Sequence, residues 1–243
     1  MKNIFDIRGI LLDYGGTIDT NGIHWSEVMW SAYGEAGIEV EKSAFRQAYR
    51  HGERSLAMQP LIKPEYKFYD VLIAKTVIQI QYLVEKAYLP ASFDITANSI
   101  HIARICYEQV RKNVKKAAPI LQSLSRSYPL VLVSNFYGNI RAVLDDLHIA
   151  RFFTDVIESA VVGVRKPDPA IFALGVSSLG LEAANVMAVG DSYNKDIVPA
   201  KETGCKTVWL KRGRQWEETP DTSKADMIIE EFEELNRILE FRV

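Results

Sequence analysis

Short apolar runs separated by amphipathic stretches mark both ends of the chain. Leu130–Ser134 reads LVLVS, Val186–Gly190 reads VMAVG, and further runs lie at 207–210 and Met227–Ile229, with a weaker one at 155–159. Near the start, Gly9–Leu12 leads into Asp13. Runs this short, rich in β-branched residues and lacking alternation, predict strands covered on both faces. Between them, 139–147, 169–179, 197–203 and 232–239 carry helical spacing. Strands alternating with helices predict βαβ units, hence an α/β fold with a doubly wound, Rossmann-type parallel sheet.

Residues 21–112 read differently. Trp25, Val28, Met29, Ala32 and Tyr33 recur at helical spacing before Gly37, and further helical stretches cover 44–56, 66–88 and 95–110. Pro60, Pro64 and Pro90 mark breaks, and no buried-strand run intervenes. This predicts a helical unit inserted into an α/β core made of 1–20 and 113–243. Its aromatic and Met positions read first as its own packed core.

The chain has 243 residues, enough for one sizeable α/β domain and a smaller unit, and 48% hydrophobic content to fill a core. Lys+Arg 29 against Asp+Glu 31 gives a net charge of −2, which offers no strong field for nucleic acid or an anionic membrane. Cys106 and Cys205 stand far apart with no second ligand at metal spacing, so buried free thiols are expected. The first residues, Met1 to Asp6, show no leader-like apolar region, and no apolar run reaches the roughly 18 residues of a membrane span. A cytoplasmic location is the expectation. Nothing in the sequence specifies an oligomeric state.

Candidate chemistry gathers at the carboxyl ends of the expected strands, where open parallel sheets bind ligands. Asp13 and Thr17 follow the first, Ser134 and Asn135 end the second, Lys166 lies in the loop 163–169, and Asp191 and Asp196 follow Val186–Gly190. Singly, each has a plain structural reading as a helix cap or a turn residue. Asp168 before Pro169 is taken as such a cap. Together they suit phosphoryl chemistry. A carboxylate attacks phosphorus only when cations offset its repulsion of the phosphoryl oxygens. Asp13 with Asp191 and the carbonyl of Gly15 offers oxygen ligands for Mg2+, Lys166 supplies a second positive charge, and Thr17 and Ser134 supply hydroxyl donors. Asp196 is placed to hold Lys166 or a metal-bound water.

The four segments, in this order, resemble motifs I to IV of the haloacid dehalogenase (HAD) superfamily, with the helical unit where a type I cap is inserted. The resemblance implies a magnesium-dependent hydrolase acting on a small phosphorylated molecule through an aspartyl-phosphate on Asp13, with Lys166 catalytic and Thr17, Ser134 and Asn135 at the substrate. One position departs. HAD phosphatases carry Asp-x-Asp in motif I, and here Asp13-Tyr14-Gly15 lacks the second Asp, the residue that protonates the leaving group and activates water. General acid–base help is worth roughly 10²–10⁴ in rate. An activated leaving group, or a proton from His24, His51 or Glu53, would compensate. Phosphonoacetaldehyde hydrolases also lack this acid and use a cap lysine, for which Lys42, Lys63, Lys67, Lys75 and Lys86 are candidates. The 2-haloacid dehalogenases lack it too, but need no metal carboxylate such as Asp191. A non-catalytic phosphate-binding protein is the remaining reading, and the intact Asp13 argues against it.

Overall fold

The structure, a computed structural model, describes residues 6–212 and 222–239. Met1 to Phe5, read above for a leader, lie outside the described residues. Six strands form one parallel sheet: β1 (Gly9–Leu12), β2 (Leu130–Ser134), β3 (Asp155–Glu158), β4 (Val186–Gly190), β5 (Lys206–Leu210) and β6 (Met227–Ile229), in the order β3-β2-β1-β4-β5-β6. Each run expected to form a strand does so. Side chains alternate across the sheet and are apolar on both faces. Ile10, Leu12, Leu130 and Leu132 join one core cluster, while Leu11, Val131 and Val133 join a second with Ile171 and Phe172. Helices cover both faces, which leaves the strand ends as the place for polar groups.

The helices are α1 (Trp25–Glu35), α2 (Lys42–Met58), α3 (Phe68–Glu85), α4 (Ile95–Ser127), α5 (Ile140–Asp146), α6 (Ser159–Val162), α7 (Ala170–Leu179), α8 (Val198–Glu202) and α9 (Glu234–Leu239). The first four follow β1 as one helical unit, with α2 and α4 packed against α3. The fourth helix was expected to end at residue 110 but runs on to Ser127, through Pro119. Its buried face explains why: Cys106, Val110, Val114, Ala117, Leu121 and Leu124 continue one stripe at spacings of three and four. The boundary expected at 112/113 therefore falls inside a continuous helix. Asp168 accepts the Ala170 N–H at 2.9 Å, so it caps the start of α7 as expected, from one place before the N-cap residue Pro169. Both cysteines are buried free thiols. No helix among the described residues is long and apolar enough to cross a membrane.

Register brings the site together. Leu12 pairs with Leu132 of β2 and Val189 of β4, so the next residues of all three strands emerge on one rim. The Asp13 N–H extends the ladder to Val189 O at 3.0 Å. Because β2 and β4 flank β1 and the chain winds outward in opposite directions from it, this rim is the switch point of the sheet.

Candidate active site

A cavity of about 960 Å³ opens over this rim, floored by Asp13, Asp191 and Asp196 and walled by the helical unit. Lys166 is the hub of the floor. Its ammonium lies 2.6 Å from Asp13 Oδ1 and 2.6 Å from Asp196 Oδ1, and the side chain is 3% exposed. Burial opposes the lysine charge, but Asp13 and Asp196 outweigh it and raise its pKa, so Lys166 stays cationic. Asp13 is pushed up to about 6 by burial, against the pull of Lys166. Thr17 Oγ1 donates to Asp13 Oδ2 at 3.1 Å and reaches Asp191 Oδ1 at 3.5 Å.

Asp196 has both oxygens engaged: Oδ1 with Lys166 and Oδ2 with the Ser192 N–H at 3.0 Å. It sits in a π-helical turn, Tyr193–Ile197, and Gly190 makes room for it, since a Cβ there would run into the Asp196 carboxyl. Asp191 is different. The Thr17 hydroxyl is the sole hydrogen-bond donor to its carboxylate among the described residues, at the long distance of 3.5 Å, while its backbone carbonyl accepts the Trp209 indole N–H at 2.8 Å. Burial, then the charges of Asp196 and Asp13, hold its pKa far above the carboxylate range. Oxygen ligand atoms of Asp13, Asp191 and Asp196 lie within 4.8 Å of one another. The Gly15 carbonyl, on the same cavity wall, accepts no hydrogen bond from the described residues. An under-satisfied buried carboxylate beside a second one and an open carbonyl is an all-oxygen donor set that fits a hard divalent cation.

Ser134 is buried at the end of β2 and lines the cavity. Asn135, expected at the substrate, also lines the cavity, and its amide pairs with the backbone of Lys166. Its Nδ2 donates to Lys166 O at 3.0 Å and its Oδ1 accepts the Lys166 N–H at 2.9 Å. This reciprocal pair fixes where Lys166 enters the site.

Gly15 leaves open space: a Cβ there has Trp25 Nε1 at 4.0 Å as its nearest neighbour. The indole N–H is directed at Asp19 Oδ2, 2.9 Å away, and Asp19 Oδ1 accepts the Gly16 N–H at 2.6 Å. Fully buried Asp19 thus ties the motif turn to α1, with its pKa raised to about 7 by burial. Gly16, at φ +102°, has no room for a side chain, because its Cβ would strike the Asp191 carboxylate.

Of the three acids considered for the helical unit, His51 stacks on Tyr82 with ring centroids 4.8 Å apart and lies away from the cavity. His24 lines the cavity but caps α1: its Nδ1 accepts the Ser26 N–H at 3.1 Å and lies 2.8 Å from Ser26 Oγ. Glu53 lines the cavity, 2.7 Å from the Lys75 ammonium and 3.4 Å from the Tyr137 hydroxyl, which donates to it. Lys75 alone among the five lysines named above lines the cavity. Burial works against its charge, but Glu53 and Tyr137 dominate and raise its pKa. This Lys75–Glu53–Tyr137 group escaped the sequence reading, although Lys75 is the one basic residue in the otherwise apolar and polar-neutral middle of α3.

A family model for haloacid dehalogenase-like hydrolases matches residues 4–204. The chain belongs to that family. Its curated relatives include a glyceraldehyde 3-phosphate phosphatase of Methanocaldococcus jannaschii, 39% identical over 37% of this chain and 39% of the relative. A phosphoglycolate phosphatase of Yersinia pseudotuberculosis is 34% identical over 49% and 51%. The matched part of the HAD chain spans about half or less of these relatives' length. A crystal structure of a dehalogenase with an intermediate complex shares the fold, at TM-score 0.66 and 16% identity over 97% of this chain and 98% of the other.

Proposed function

We propose that this HAD hydrolase is a magnesium-dependent phosphohydrolase of a small phosphorylated metabolite, with Asp13 as nucleophile. The observation that carries the reading is the floor: three carboxylates, one of them under-satisfied, around a single buried ammonium. Such a floor is short of positive charge until a cation joins it. The phosphatase names of the curated relatives support the same chemistry.

Asp13, Asp191 and the Gly15 carbonyl would hold Mg2+, which when bound offsets the negative charge of the carboxylates and of the phosphoryl oxygens. Asp13 attacks phosphorus, the bond to the leaving oxygen breaks, and water then hydrolyses the aspartyl-phosphate to free phosphate and the restored carboxylate. Lys166 keeps Asp13 ionised and aimed, and donates to the phosphoryl oxygens, as do the hydroxyls of Thr17 and Ser134. Asp196 and Asn135 position Lys166 through its side chain and its backbone. Residues 21–112 act as a cap that excludes water and selects the substrate. With Gly15 unable to give a proton, substrates with activated leaving groups react best.

The cap-lysine reading is disfavoured. A Schiff-base lysine must be a neutral amine, whereas Lys75 is held as an ammonium by Glu53. The test is phosphate release from acetyl phosphate with and without Mg2+, by the native chain and by Asp13→Asn and Asp191→Ala. Turnover that needs Mg2+ and both carboxylates supports the reading; equal turnover in either variant refutes it.

A further inference from the structure

Resting on that reading, we propose that the native substrate is an aryl phosphate whose ring carries an oxygen anion: the ring lies beside Trp25, Phe136 and Tyr137, and the anion on Lys75. Four observations converge on this site. The cavity holds about 960 Å³, far more than a phosphoryl group with a two- or three-carbon tail fills. The side-chain-free position at Gly15 leaves this space open, with Trp25 Nε1 the nearest atom at 4.0 Å from a Cβ there, so a bulky group bonded to phosphorus comes up against the indole. Trp25, Phe136 and Tyr137 are each half-buried and line the cavity, which leaves part of each ring for a ligand.

The fourth observation is Lys75. It is 8% exposed, lines the cavity from α3, and sits 5.8 Å from the ring centroids of both Trp25 and Tyr137. Its ammonium has three N–H donors and two partners among the described residues, Glu53 and the Tyr137 hydroxyl. The third donor is unmatched in a buried cation, and an oxygen anion on the substrate ring completes it. The same substrate resolves the missing acid. A phenolate departs without a proton at far less cost than an alkoxide, so Asp13 can displace it while the ring oxygen leaves as an anion and is protonated by solvent after release. Gly15 thus removes the proton donor and makes room for a leaving group that does not need one.

The test uses phosphonates, whose P–C bond is not hydrolysed, so binding is read apart from turnover. Calorimetric titration with Mg2+ present compares benzylphosphonate, cyclohexylmethylphosphonate and 4-carboxybenzylphosphonate. The expected order is benzyl tighter than cyclohexylmethyl by roughly 5-fold, and carboxybenzyl tighter again by about 10-fold. Phe136→Leu narrows the first gap. Lys75→Met removes the second, and so does Lys75→Met/Glu53→Gln, which avoids stranding the Glu53 charge if the single variant misfolds. Equal affinity for planar and saturated rings, a carboxylate that weakens binding, or no measurable binding by any of the three overturns the proposal. Acetyl phosphate hydrolysis that depends on Asp13 separates such a failure from a failure of the phosphohydrolase reading itself.

Discussion

The Lys166 ammonium lies 2.6 Å from Asp13 Oδ1, and 2.6 Å on its other side is Asp196 Oδ1. One buried cation therefore holds two carboxylates that β1 and the turn after β4 deliver from opposite ends of the sequence. Lys166→Met leaves both charges buried and uncompensated. It should cost about 3 kcal/mol or more of stability and lower kcat by roughly 10²–10³, measured by urea unfolding and by acetyl phosphate turnover. A variant of native stability and activity would remove Lys166 from the site's chemistry.

Gly15→Asp restores the residue that HAD phosphatases carry, and the fold has room for it, since the nearest atom to the new Cβ is 4.0 Å away. The variant should fold normally. Its kcat/KM on alkyl phosphates should rise at least about 10-fold, with little change on acetyl phosphate. A rise of equal size on both substrates would show that proton transfer to the leaving group is not what Gly15 lacks.

Gly16→Ala should do the opposite. A Cβ at φ +102° meets the Asp191 carboxylate and must push it aside. Mg2+ affinity should fall roughly 10–100-fold, read from the Mg2+ dependence of turnover, while Gly34→Ala, where a Cβ meets nothing within 4 Å, leaves it unchanged.

Asp19 sets a pH dependence of stability. Its folded pKa, about 7, is above its ordinary value of 3.8, so the folded state binds the proton more tightly than the unfolded state. The resulting stability is fully present below 3.8 and is lost as pH rises through about 7. Unfolding free energies of the native chain should therefore decline across that window in the absence of divalent cation. Asp19→Asn, which cannot titrate, should show a smaller decline, at the cost of one hydrogen bond to Gly16 or Trp25. Parallel pH profiles for the two chains would contradict this.

Legibility in the sequence followed the range of the interactions. The strands could be read because parallel strands buried on both faces carry continuous apolar runs, and parallel register then lines up Asp13, Ser134 and Asp191 without further information. Lys166 and Asp196 could be read from their motifs. Asn135 was placed at the substrate by the resemblance of its motif, and it lines the cavity, but its pairing with the Lys166 backbone, 31 residues away, was not legible. The Lys75–Glu53–Tyr137 group was hidden for the same reason: α3, α2 and the loop after β2 meet only in three dimensions. The length of α4 was missed because its stripe was followed only to Val110, whereas it continues through Val114, Ala117, Leu121 and Leu124.

As the proposed nucleophile, Asp13 must accept the phosphoryl group. The direct measurement is an acid quench of the native chain turning over acetyl phosphate with Mg2+, followed by mass spectrometry of the peptide that contains Asp13. One phosphoryl group should be found on Asp13, absent without Mg2+ and absent from Asp13→Asn. Steady turnover by Asp13→Asn, or a phosphoryl group found on another residue, would contradict that role for Asp13.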